Sequence, residues 1–292
     1  MRLHSRVLED RVRLVVGTSH DEETGVSKTY NRDTDDGSIG DIIGNGTSIY
    51  QINGLYGQTD ISILANLTTT IGFRYDNVDY DWQDDFEPDS SNTSANTSLG
   101  AVSPKFGFAY NPMERLTIFG NWGRGFNPPV MDNLFSSDPE SNPDLKPEYL
   151  SNIELGLRGG IGYRINYQLS AFKMNFVDQI VKDSETEFFE NIGDLEHSGV
   201  EVMVNTMVLP NMMVYLNYAY LQTAFTDHPE FAGNSLTKTP ENQVGAGMRL
   251  TLFDDLSMSF DYQWMDEFYM DNEEIHVYKG HHLVNAKLRY TY

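Results

Sequence analysis

The side chains that could do chemistry in this sequence are clustered carboxylates, loop aromatics and a thin set of cations and histidines. Acid gathers at Asp21-Glu22-Glu23, at Asp33 with Asp35-Asp36, at Asp84-Asp85-Phe86-Glu87, at Asp138-Pro139-Glu140 and at Asp271-Asn272-Glu273-Glu274. Oxygen ligands at such density are the chemistry of Ca²⁺. The segment Asn31 to Gly37 is similar to a Ca²⁺ loop, but it lacks the glycine in sixth place and the glutamate in twelfth. Charge runs without that closure are solvated surface, so no metal site is assigned.

Aromatic residues offer a second chemistry. Tyr80, Trp82, Phe86, Phe188, Phe189, Phe231, Phe268 and Tyr269 fall in or beside polar stretches. Their first reading is a girdle at a membrane–water interface. The second is an aromatic ligand wall, for which Tyr80, Trp82, Phe268 and Tyr269 are the candidates. In Trp122-Gly-Arg-Gly-Phe-Asn-Pro-Pro129, Gly123 and Gly125 permit unusual backbone angles and Pro128-Pro129 stops sheet pairing, which makes a hinge. Trp122, Arg124, Phe126 and Asn127 are candidates for ligand contact beside that structural role. Of seven histidines only His281-His282 adjoin, and neighbours on a strand point to opposite faces. No Gly-x-Ser-x-Gly is present, and a loose pair such as Asp227-His228 is no hydrolase constellation, so an enzyme ranks last.

The balance of 20 Lys+Arg against 43 Asp+Glu, net −23, argues against a nucleic-acid partner, because phosphate binding needs clustered cations. Zero cysteines removes any disulfide framework and any thiolate metal site. No window approaches 18 consecutive apolar residues, which excludes a membrane helix. Yet the chain holds 16 Phe, 17 Tyr and 3 Trp while being polar on average. That combination is how a transmembrane β-barrel reads, since only alternate residues meet lipid.

The elements that must carry these residues are strands. Arg11 to Val16 reads as a strand entering an acidic Gly/Ser/Asp loop over 19–47. Tyr50 to Tyr56 and Leu67 to Tyr75 flank a turn near Thr59 to Leu64, and a second polar loop covers Gln83 to Gly100. Lys105 to Tyr110 and Arg115 to Arg124 flank Asn111-Pro-Met-Glu114; Leu150 to Leu157 and Tyr163 to Phe176 flank Gly159 to Gly162. The alternation is clearest in the last of these. Tyr163, Ile165, Tyr167, Leu169 and Ala171 share one face, and Arg164, Asn166, Gln168 and Ser170 the other. Pairs at Val200 to Val208 with Met213 to Leu221, and Gln243 to Leu252 with Leu256 to Trp264, lead to a last strand from His282 to Tyr292. The reading is all-β: an antiparallel transmembrane barrel sheet of about 12 strands, with short turns on one side and long loops on the other.

Several motifs also recur in an order that resembles a known family. Ser103-Pro-Lys-Phe-Gly107, the Gly123 to Pro129 element, Asn142-Pro-Asp-Leu-Lys-Pro-Glu148 and Glu154-Leu-Gly156 are followed by Asn191-Ile-Gly193, Glu196-His-Ser-Gly-Val-Glu201 and Leu216-Asn-Tyr-Ala-Tyr-Leu221. The series, over roughly residues 65–292, is similar to the C-terminal barrel of TonB-dependent outer-membrane receptors. The resemblance implies a bacterial outer-membrane location and uptake of a scarce ligand. A ferric siderophore comes first, with cobalamin, haem or a carbohydrate behind it. Haem-importing members place a histidine between the Phe-containing element and the Asn-Pro element; between Phe126 and Asn142 this chain has none.

It also implies a TonB energy-coupling partner acting through an N-terminal plug domain. Nothing before Arg11 has room for a plug, and family barrels have about 22 strands. Residues 1–292 are therefore expected to be one domain, a partial barrel lacking the plug and the early strands, with lipid contact but no cofactor. The alternative is a small passive pore lined by Arg74, Arg158, Arg164, Arg249 and Arg289.

Overall fold

A computed structural model describes residues 11–32, 37–86, 94–135, 142–182, 189–191 and 193–291, with the backbone alone for 2–7 and Lys182. In chain order the elements are β1 (Arg2–Val7), β2 (Val12–Arg32), β3 (Ile39–Leu64), β4 (Leu67–Asp84), β5 (Ala95–Met113) and β6 (Leu116–Asn127). One helical turn, α1 (Met131–Leu134), precedes β7 (Glu148–Ile161), β8 (Ile165–Val177), β9 (Ile180–Lys182) and β10 (Phe189–Asn191). Then come β11 (Asp194–Leu209), β12 (Met212–Asp227), β13 (Asn242–Phe253), β14 (Leu256–Met265), β15 (Phe268–Tyr269), β16 (Val277–Tyr278) and β17 (His281–Tyr290). Thirteen strands form one antiparallel meander, β1 to β8 followed by β11 to β14 and β17; β9–β10 and β15–β16 are separate small hairpins.

The register sorts every long strand into two faces. Ile71, Phe106, Trp122 and Ile153 lie side by side on β4 to β7. All four are exposed, as are Phe73, Leu155, Leu169 and Leu216. This is the face that meets hydrocarbon. The other face carries rows such as Thr70, Gly107, Asn121 and Glu154. There the Asn121 amide donates to the Glu154 carboxylate at 2.8 Å.

Along one rim a repeated backbone bond ties neighbouring hairpins. The carbonyls of Arg11, Asn66, Arg115, Arg164, Asn211 and Asp255, each in a short turn or beside it, accept the N–H of Ser62, Asn111, Gly160, Met207, Thr251 and Thr291 at 2.7–3.0 Å. At Gly159 a Cβ would lie 2.2 Å from the Arg115 carbonyl oxygen, so the close approach at this rim requires glycine. The long connections all leave the opposite rim.

Two expectations need correction. The stretch 19–47 is mostly strand: β2 and β3 pair from Val12–Ile61 up to Arg32–Ile39 and continue past the last β3–β4 pair, Gly46–Asp84. Above the membrane both faces are wet, so hydrophobic alternation disappears although the ladder continues. The turn placed near Thr59 to Leu64 lies one step on, at Ala65-Asn66, because β3 runs 26 residues to Leu64. The sheet of about 12 strands is present as expected, thirteen in all because Arg2–Val7 pairs with β2, and its edges are β1 and β17. Among the described residues no helix is long and apolar enough to cross a membrane.

The two-faced register makes a prediction. Leu155 lies mid-strand on the apolar face, opposite Gly120 and Ala171. Replacing it with arginine is expected to lower unfolding stability in bilayers by about 2–4 kcal/mol. The same change at Gln168, on the polar face, is expected to cost less than about 1 kcal/mol in urea titrations.

Candidate ligand-binding face

Above the apolar band, the polar face turns aromatic. Val78, Tyr80 and Trp82 follow one another at period two on β4 and are buried with Leu134, Phe135 and Leu145 of the β6–β7 connection. Asn77, Asp79 and Asp81 occupy the intervening positions, so the outward face here is polar and this part of β4 stands in water. The connection therefore folds inward over the concave face instead of away from it. Tyr50, opposite Tyr80 on β3, packs its ring 5.2 Å from the Tyr80 ring. The Tyr80 hydroxyl donates to the Pro129 carbonyl at 2.7 Å and fastens the connection to the sheet. Burial, and then the neighbouring Tyr50, pushes the Tyr80 phenol well above its ordinary value. Tyr50 is raised too, by burial first and then by the charges of Glu23 and Asp76.

The sequence candidates divide among three places. Tyr80, Trp82 and Phe126 join this cap, Phe126 packing against it beyond the last β5–β6 pair. Asn127 beside them donates to Glu148 at 2.7 Å. Trp122 lies on the outward apolar row, and Arg124 stacks over the Tyr149 ring at 3.9 Å on the same side. Phe268 and Tyr269 form the β15–β16 hairpin near the β17 edge, with Phe268 stacked on Tyr278 at 5.0 Å. Together with Thr223, Thr239 and Glu241 they line a separate cavity of about 220 Å³.

Below the cap the concave wall is polar and carries charge of both signs. Arg74 holds both oxygens of Asp76 through its Nε, at 2.9 and 2.7 Å, and its Nη2 donates to Ser19 at 3.0 Å. Asp76 is buried, and Gly54 opposite leaves it room, since a Cβ there would come within 2.7 Å of its Oδ1. Lys105, one row lower, lies across Gly72 and has no carboxylate partner among the described residues. Arg74 and Lys105, with Gln58, Thr70, Asn121 and Asn152, line a concave groove of about 750 Å³. Its volume falls in the range of small-ligand sites. Lys105 and Asn121 belong to the site although the sequence reading passed over them as ligand contacts; only the pairing register places them beside Arg74. Of the other arginines, Arg158, Arg249 and Arg289 share the polar face by register. Arg164 lies in the turn before β8, not on the strand.

The acidic clusters are engaged locally. Glu22 accepts from Gln51 at 2.7 Å, with Asp21 and Glu23 on the other side of β2. Asp271 accepts the Ile275 and His276 N–H groups at 2.8 and 3.0 Å and faces the His276 ring. The Ile275 N–H, with help from His276, holds that carboxyl below the usual carboxylate range. Among the described residues no group of His, Asp and Glu has metal-binding geometry. Asp33, Asp35, Asp36, Glu87, Asp138, Glu140, Phe188 and the acidic stretch 183–187 lie outside the described residues.

The Arg74–Asp76 pair generates a stability prediction. Arg74→Met leaves a buried carboxylate unpaired and is expected to cost about 3 kcal/mol, whereas Arg74→Met with Asp76→Leu recovers most of it. Chemical unfolding of the two variants reads the difference.

Residues 4–292 match the family described as TonB dependent receptor-like, beta-barrel. The vitamin B12 transporter BtuB of Photobacterium profundum is 29% identical over 149 residues, 48% of this chain and 23% of that protein. The unliganded ferric citrate transporter FecA superposes with a TM-score of 0.81 at 16% identity, over 100% of this chain and 46% of FecA. The siderophore receptor PiuA from Acinetobacter baumannii gives 0.80 at 14% identity, over 99% and 48%. At those identities the structural likeness shows the fold, and the chain spans less than half the length of each of these relatives. The inward loop, the two-faced antiparallel meander and the family match lead to one conclusion: the chain belongs to the TonB-dependent receptor β-barrel family of the bacterial outer membrane.

Proposed function

We propose that this chain is the C-terminal portion of the barrel of an outer-membrane receptor that takes up an anionic ferric siderophore, driven by a TonB-type complex. The observation that carries the reading is the groove beneath the aromatic cap, where Arg74 and Lys105 face the concave side, Lys105 without a carboxylate partner among the described residues. The chain as a whole is strongly acidic, so a cation on that wall without a carboxylate partner among the described residues is a local point of attraction for an anion. An iron chelate with carboxylate or catecholate oxygens is attracted there, while the acid elsewhere stays in water. In lipid the edges β1 and β17 each need a neighbour, because unpaired backbone groups cost several kcal/mol apiece. The reading takes those neighbours from other strands of a longer receptor.

Uptake of radio-iron chelates into outer-membrane vesicles and cells tests this. Lys105→Glu is expected to weaken binding of an anionic ferric chelate about ten-fold through the reversed local charge, leaving cobalamin binding unchanged. Equal loss for both ligands, or none for the chelate, overturns the siderophore reading. A steady unitary current from ligand-free protein in planar bilayers overturns transport in favour of a passive pore.

A further inference from the structure

The enclosed face holds a second charged place, at its short-turn end. There Arg158 of β7 stands between Thr117 of β6 and Gln168 of β8, and the same row continues to Met203 of β11. One step closer to the turns, Asn166 and Asn205 lie opposite each other. These side chains, with Arg115 and Tyr163 from two neighbouring turns, line a cavity of about 580 Å³.

The two guanidinium groups are held differently from the chain's other paired cations. Arg13, Arg74 and Lys173 each meet a carboxylate, that of Asp60, Asp76 and Glu196 respectively. Arg115 lies instead 4.2 Å from the centre of the Tyr163 ring, and Arg158 5.6 Å from that of Phe119. A ring face steadies a guanidinium without taking up its in-plane N–H groups, so both forks stay available to an anion. No carboxylate lies within ion-pair distance of either arginine among the described residues. Glu114 also lines the cavity, which leaves one net positive charge there, +2 from the arginines and −1 from the glutamate. In a chain of net charge −23 that is an exception. Asn166, Gln168 and Asn205 make no side-chain hydrogen bond among the described residues, so their amides can complete a shell around bound oxygen atoms.

Register relates this cavity to the groove under the cap. Lys105 is opposite Gly123 and Arg158 is opposite Thr117, six residues apart on β6 or about 20 Å along the wall. Between them come the Asn121–Glu154 row and then Phe119, lying over Gly156 so closely that a Cβ there would come within 2.5 Å of the ring. An anion moving down this wall leaves one cation, passes a carboxylate and a ring, and reaches a pair of cations.

We propose that the lower cavity is a second anion station, in which Arg115 and Arg158 hold a small polycarboxylate after it has left the upper groove. Each guanidinium fork takes two oxygens of the ligand, and the neighbouring amides donate to the rest. The binding stands on the cavity alone; only its place in transit rests on the uptake reading.

Arginine modification by phenylglyoxal, mapped by mass spectrometry on the protein in outer-membrane vesicles, tests the station. Citrate at fixed ionic strength is expected to slow modification of Arg115 and Arg158 about five-fold, while Arg164, in the β7–β8 turn but outside the cavity, reacts as before. No protection, or equal protection of Arg164, overturns the station. For transit, Arg158→Gln is expected to leave the Kd of the upper groove for ferric citrate unchanged and to slow passage into the periplasm about five-fold, with Arg158→Lys restoring most of the rate. An unchanged rate, or a Kd weakened in step with the rate, overturns the transit role. Protection of both arginines in a protein that takes up no iron chelate keeps the station and overturns the uptake reading, so the two fail separately.

Discussion

Everything in this molecule follows from the need to pair backbone N–H and C=O groups where no water can take them. An antiparallel meander meets that need between neighbours, and it forces side chains to alternate between hydrocarbon and the enclosed face. The sequence obeys on β8, where Ile165, Tyr167, Leu169 and Ala171 alternate with Asn166, Gln168 and Ser170. The short-turn rim shows the same economy, since carbonyls next to each turn accept bonds from the adjoining hairpin. Long connections are confined to the other rim, and there the chain has freedom to build a capped binding site.

That freedom is used inward. Above the apolar band Val78, Tyr80 and Trp82 remain on the concave face, but with no lipid opposite them they become the floor for a folded connection. The polar wall below has a different source of order: Arg74 is committed to buried Asp76, which leaves Lys105 as the cation that faces the groove without a counter-charge among the described residues. The cap and the wall therefore share strand β4 but depend on different interactions, apolar burial for the cap and charge for the wall.

What the sequence made legible was whatever alternates or interrupts locally. The turns at Pro210-Asn211 and Asp254-Asp255 and the apolar rows of β8 and β14 were readable because period two and turn chemistry are local signals. The tall β2–β3 hairpin was not, because a strand wet on both faces has the composition of a loop. Trp122 is a ligand candidate from its motif, and register adds that it sits beside Phe106 and Ile153 on the outward row while bordering the groove. The Asn142 to Glu148 motif marks the family in the sequence, while its physical purpose emerges only where Asn191, far along the chain, binds Lys146. Long-range pairing fixes such roles, and no single stretch contains them.

The absence of cysteine from the chain allows the central claim to be tested without background. Single cysteines placed in turn at residues 165–172 of β8, in protein embedded in outer-membrane vesicles, can be probed with a membrane-impermeant maleimide and a lipid-phase quencher. The two-faced sheet predicts alternation: quenching from the lipid at 165, 167, 169 and 171, and labelling from water at 166, 168 and 172, with buried Ser170 protected from both. Uniform labelling from water at all eight positions would contradict the account, since it would mean that no face of this strand lies against hydrocarbon.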